Sequence, residues 1–82
     1  MIYQEREIAK DNLEKYLKVL DSDEGIRVEN GAEFVFINKT SRRYCVNISK
    51  DNKDEFLYMN EASEVLRFLA NRLGPNSKIF SY

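Results

Sequence analysis

The chain has no histidine and no tryptophan, one cysteine, one proline and three glycines. Each shortage excludes something. Without histidine there is no Ser-His-Asp or Cys-His nucleophile, no imidazole metal ligand and no imidazole switch near neutral pH. The lone Cys45 permits no internal disulfide, and its place in the middle of a strand pattern reads as a small buried hydrophobe. Gly25, Gly31 and Gly74 are too scattered for a phosphate-binding loop. No apolar run approaches the roughly 20 residues of a membrane span. The start, Met1 to Glu7, lacks the basic opening and apolar middle of a signal peptide. The expectation is a cytoplasmic, intracellular protein without membrane association.

Charge is balanced but unevenly spread. The 82 residues carry a formal net charge of −1. Residues 1 to 33 hold nine acids and five bases, whereas 34 to 53 hold Asp51 against Lys39, Arg42, Arg43, Lys50 and Lys53. Such a balance gives no global attraction for nucleic acid or anionic lipid and leaves a local basic strip. The acidic run Asp21-Ser22-Asp23-Glu24-Gly25 invites a calcium reading. Counted from Asp21, however, the sixth position is Ile26 where glycine is needed, and the twelfth is Ala32 where glutamate is needed. The sequence therefore predicts no metal, no cofactor and no catalytic residue. The adjacent acids Asp23-Glu24 and Asp54-Glu55 point to different sides rather than converging on a substrate.

What is present is alternation. Ile26-Arg27-Val28-Glu29, Glu33 to Ile37, Tyr44 to Ile48 and Glu55 to Met59 read as strands. Asn30-Gly31 between the first two is the usual signal for a two-residue type I′ hairpin. That turn pairs Glu29 with Ala32, Val28 with Glu33, Arg27 with Phe34 and Ile26 with Val35. A four-residue loop Lys39 to Arg42 pairs Ile37 with Tyr44 and Val35 with Val46. A second loop, Lys50 to Lys53, pairs Val46 with Leu57 and Tyr44 with Met59. One face then carries Ile26, Val28, Val35, Ile37, Tyr44, Val46, Ile48, Leu57 and Met59. The other carries Arg27, Phe34, Phe36, Arg43, Cys45, Asn47, Phe56 and Tyr58.

Helices flank these strands. Ala9, Leu13, Tyr16, Leu17 and Leu20 make an apolar stripe, and the spacing predicts a helix over residues 5–20; Asp11 to Glu14 is an alternative capping box for a shorter helix from residue 12. Ala62, Val65, Leu66, Leu69 and Leu73 predict a second helix over about 61–73, capped by Asn60 and stopped by Gly74-Pro75. The apolar tail Ile79, Phe80 and Tyr82 is expected to pack on the body or add an edge strand. The expected fold is thus one small α+β domain over residues 1–82: N-terminal helix, antiparallel meander of three or four strands, C-terminal helix.

The order helix-strand-strand-strand-helix resembles that of double-stranded-RNA-binding domains. That family opens its second helix with a basic cluster that grips phosphates, whereas here the start is the acidic Asn60-Glu61-Ala62-Ser63-Glu64, and the family is not assigned.

The candidate partner-binding residues are Phe34, Phe36, Phe56 and Tyr58 on the second sheet face, Arg42 and Arg43 at a hairpin, and Asp21, Asp23 and Glu24 in the acidic turn. Four aromatics on one face point to an interface, unless a helix or the tail covers them. Two adjacent arginines can hold a phosphate or an acidic partner. The functional expectation is a non-catalytic protein-binding module, of adaptor or inhibitor type, with a protein partner or a second copy of itself. Proteins of this build include accessory proteins of phages and mobile elements that block host nucleic-acid-handling complexes. The alternative is a nucleic-acid-binding domain using the aromatic and basic face with the Arg42-Arg43 hairpin.

Overall fold

The computed structural model describes residues 5–31, 33–74 and 76–82. Six strands form one antiparallel sheet: β1 (Arg6–Ile8), β2 (Gly25–Glu29), β3 (Phe34–Lys39), β4 (Tyr44–Lys50), β5 (Lys53–Met59) and β6 (Lys78–Ser81). A 3-10 turn at Lys10–Asn12 leads into helix α1 (Leu13–Lys18), and helix α2 (Ala62–Ala70) follows β5. The strand order is β1-β6-β2-β3-β4-β5.

This corrects the expected helix, three- or four-strand meander and helix. The segment read as the first half of a long helix is instead β1, paired with β6 through Ile8 and Ile79. No breaker separates residues 5–10, but burying Ile8 in the sheet outweighs local helix preference. The chain is still extended at Ala9 (φ −74°, ψ 149°), and α1 is only six residues long. The tail does become a strand, but an internal one: β6 lies between β1 and β2. Helix α2 is shorter than expected. Glu61, not Asn60, takes the N-cap position, and the helix closes at Asn71 before Gly74. The Pro75 part of the expected stop lies outside the described residues, as does Ala32 in the first turn.

The hairpins keep the expected faces in two cases through a different register. β2 and β3 pair Val28 with Val35 and Ile26 with Ile37. The intervening loop has four residues, because the Asn30 side-chain oxygen accepts from the Glu33 backbone N–H at 3.0 Å and the Asn30 N–H reaches the Glu33 carbonyl. β3 and β4 pair Ile37 with Val46 and Val35 with Ile48, around a loop closed by the Thr40 N–H and hydroxyl, both donating to the Arg43 carbonyl. Both registers sit two residues from those expected, and a two-residue slip leaves every side chain on its own face. β4 and β5 pair Val46 with Leu57 and Tyr44 with Met59 as expected, but around a two-residue turn. Asp51 (φ 51°) and Asn52 (φ 64°) supply the two positive φ angles of a type I′ turn there.

The core lies between the helices and one sheet face. Ile8, Ile79, Val28, Val35 and Ile48 form a row across five strands, with Ile26, Ile37 and Val46 in the next. Leu13 and Leu17 of α1 and Val65 and Leu69 of α2 pack onto them, with Leu57 and Met59 at the margin. The Tyr44 hydroxyl donates to the Leu17 carbonyl at 2.6 Å, satisfying a polar group that would otherwise be buried alone. Among the described residues no helix is long and apolar enough to cross a membrane.

Candidate functional site

Both helices pack on the same side of the sheet, so the opposite, outer face is bare among the described residues. Alternation places Phe34 and Phe36 on it from β3 and Phe56 and Tyr58 from β5. Phe34 is 46% exposed, Phe56 59% and Tyr58 60%, while Phe36 is half-buried. The alternative in which a helix or the tail covers this face does not occur among the described residues: the tail enters the sheet rather than crossing it.

The four rings form two ridges. Phe34 and Phe36 stack at 6.4 Å between centroids with 23° between their planes. The ridges on β3 and β5 stand two strand spacings apart, roughly 10 Å. Between them β4 contributes smaller side chains, with Cys45 across from Tyr58, Asn47 between Phe36 and Phe56, and Ser49 across from Phe34. The result is a shallow trough with aromatic walls and a polar floor. Cys45 is half-buried in that floor and does not belong to the core. The Asn47 amide nitrogen is buried there with no hydrogen-bond partner among the described residues.

Beside the trough the face changes character. Arg27 on β2 lies between Phe36 and Phe80 in the ladder. Its guanidinium is 3.1 Å from Glu5 and 3.4 Å from Glu29, and sits over the Phe80 ring at 4.7 Å. Two carboxylates therefore neutralise it. Tyr82 pairs with Gly25 through both backbone bonds at 2.9 Å and lays its ring over that glycine, where a Cβ would come within 2.5 Å of the ring. Burial and the Glu5 charge push the Tyr82 phenol above its ordinary pKa, against the opposing charge of Arg27. Tyr82, Phe36, Asn38 and Arg27, with Asp23 and Glu24, line a shallow depression of about 560 Å³.

The expected site residues thus fall into three groups. Phe34, Phe36, Phe56 and Tyr58 are brought together as the trough walls. Arg43 belongs with them, because its guanidinium lies 5.5 Å from the Tyr58 ring centroid. Arg42 is exposed in the β3–β4 turn. Asp23 and Glu24 meet Phe36 at the depression. The carboxylates of Asp21 and Glu24 are engaged in their own turn, accepting from the Ser22 and Asp21 backbone N–H groups at 2.8 Å each. Sequence reasoning missed the contributions of Phe80, Tyr82 and Glu5. The alternation Ile79-Phe80-Ser81-Tyr82 was the available signal.

On the helix side, the Glu33 side chain is 9% exposed and receives Arg72 at 2.6 Å and the Asn30 amide at 3.1 Å. Burial alone would raise the Glu33 carboxyl. The hydrogen bonds from Arg72 and Asn30, with the charges of Arg72 and Lys50, outweigh burial and hold it below its ordinary value. This pair clamps the β2–β3 loop to the end of α2. Among the described residues no three His, Cys, Asp or Glu side chains group closely enough to hold a metal ion. Comparison of the chain with family models, with curated proteins and with solved structures gave no match.

Proposed function

We propose that this protein is a non-catalytic binding module of adaptor or inhibitor type that takes a protein partner on its outer sheet face. The observation carrying this reading is the pair of aromatic ridges, largely exposed on a face that neither helix covers. Exposed apolar patches of this kind mark interfaces, and aromatic side chains supply much of the binding energy there. The neighbouring acidic turn, with Asp23 at its tip, forms a rim suited to a basic neighbour. In the inhibitor version, that of a phage or mobile-element accessory protein, the module blocks a host nucleic-acid-handling complex by docking its aromatic face beside a basic groove.

Charge counts against direct nucleic-acid binding. The outer face carries Glu5, Glu7, Glu29 and Asp54 against Arg27, Arg43 and Lys78, and Arg27 is already paired. A nucleic-acid platform needs a net positive groove along the backbone path.

The test is site-specific photocrosslinking in lysate of the native source. A photoactivatable phenylalanine replaces Phe34 or Tyr58 in turn, with exposed Val19 on α1's side as control. A discrete protein adduct at the first two positions and none at Val19 is the expected result. The reading is overturned if neither position gives an adduct. It is also overturned if the protein shifts RNA or DNA at low salt and Arg42→Ala with Arg43→Ala removes the shift.

A further inference from the structure

The two edges of the sheet differ. β1 is three residues long, too short to template another strand. β5 has seven residues and, among the described residues, pairs only with β4, which leaves the other side of its backbone without a strand partner there. The two-residue turn sets which groups are open. In such a hairpin the closing pair, Lys50 with Lys53, exchanges both hydrogen bonds, and the pattern alternates from there. Lys53, Glu55, Leu57 and Met59 therefore direct their N–H and C=O groups to β4, whereas Asp54, Phe56 and Tyr58 direct theirs outward. Two of these three, Phe56 and Tyr58, also put rings on the outer face.

We propose that β5 is the pairing edge for a second copy of this chain, joined antiparallel about a two-fold axis at Leu57. The β5 sequence is self-complementary in this register. Phe56 meets Tyr58 of the other copy, and Tyr58 meets its Phe56, giving two aromatic cross-strand pairs on the outer face. Leu57 meets Leu57 on the helix side. The register brings Lys53 toward Glu61, two residues past the end of β5, where the chain bends into α2 with extended dihedrals (φ −131°, ψ 152°). Sliding by two residues is worse in either direction. The axis at Leu57 sets Glu55 against Met59 and an axis at Phe56 sets it against Leu57, so that pair does not decide; an axis at Phe56 puts Asp54 opposite Tyr58 in place of the aromatic pairs, and an axis at Tyr58 puts Glu55 opposite Glu61. The axis stands perpendicular to the sheet, so both outer faces lie on one side and the troughs join into one surface across twelve strands. This inference goes beyond the outer-face reading and stands without it.

Sedimentation equilibrium of the full chain over a concentration series tests it. The expected mass rises from 9.7 kDa to twice that value. Lys53→Glu places like charges together at two symmetric points and should weaken association about tenfold. Adding Glu61→Lys to it should restore the affinity. Tyr58→Pro, which removes an outward N–H and no β4 bond, should abolish association; circular dichroism checks that it folds, and the charge pair carries the test if it does not. Phe34→Asp, far from the edge, should leave the dimer intact. A monomer at every concentration overturns the proposal. So does a dimer lost with Phe34→Asp, or one indifferent to Lys53→Glu, or one that the second charge reversal fails to rescue.

Discussion

Replacing Arg72 by methionine keeps an unbranched stem but removes the guanidinium, which both holds Glu33 and lies over the Phe68 ring; pH separates the two contacts, because only the Glu33 contact titrates. In the native protein that guanidinium lies 2.6 Å from a Glu33 oxygen and 4.5 Å from the Phe68 ring centroid. The Glu33 side chain is 9% exposed and Arg72 is 32% exposed. A hydrogen bond to a charged group contributes about 1.5–3 kcal/mol, and loss of a partner from a fully buried pair costs about 3–5 kcal/mol. With one partner a third exposed and Asn30 still donating to Glu33, the expected loss is about 2 kcal/mol. For a domain with a total stability on the order of 5 kcal/mol that is a large fraction.

The pH dependence has a definite sign. The Glu33 pKa is lowered on folding, so its contribution is present above the unfolded carboxyl pKa of about 4.3 and is lost as pH falls through the folded value. Urea denaturation at pH 7 and then down to about pH 3 should show the variant weaker at neutral pH, with the two proteins converging in acid. A loss below about 0.5 kcal/mol at pH 7, or a constant difference across the series, would refute the clamp.

Two further perturbations address the turns. Asn52→Gly should stabilise the β4–β5 hairpin by about 0.5 kcal/mol and Asn52→Val should destabilise it by 1 kcal/mol or more, since φ at this position is 64°; equal denaturation midpoints for the two variants would contradict the type I′ assignment. Gly25→Ala should drive the Tyr82 ring off the β2 backbone, so that its phenol titrates nearer the ordinary value of about 10 in an ultraviolet titration. An unmoved titration would show that the ring does not depend on that close approach.

The sheet faces were legible because alternation has a period of two. Both early hairpins pair two residues out of the register that Asn30-Gly31 and Lys39 to Arg42 suggest, yet Val28, Val35, Ile37 and Val46 stay in the core and Phe34, Phe36, Phe56 and Tyr58 stay outside. Register was less legible. The Asn30 side chain binds the Glu33 backbone and widens a loop that the dipeptide alone describes as tight, while the type I′ geometry appears at Asp51-Asn52 instead. β1 was hidden for a different reason. Glu5-Arg6-Glu7-Ile8 carries one apolar residue and no alternation, and its strand exists only because β6, some 70 residues away, offers an edge. The same long-range pairing explains why the tail's insertion between β1 and β2 could not be read locally. Within the candidate site the aromatic ridges were readable from pattern, whereas Tyr82 over Gly25 and Arg27 between two carboxylates required the closed sheet.

The aromatic face is surface and not core. The direct measurement is urea denaturation of Phe56→Asp and Tyr58→Asp beside Val46→Asp, on dilute protein. Val46 lies next to both in the ladder region but is fully buried. The first two variants should fold cooperatively and lose no more than about 1.5 kcal/mol, within the span of strand preference and partial burial. Val46→Asp, which places an unpaired charge in the core, should show no cooperative transition. Unfolding of Phe56→Asp and Tyr58→Asp to the same extent as Val46→Asp would mean that the face is buried in the native protein and is not a docking surface.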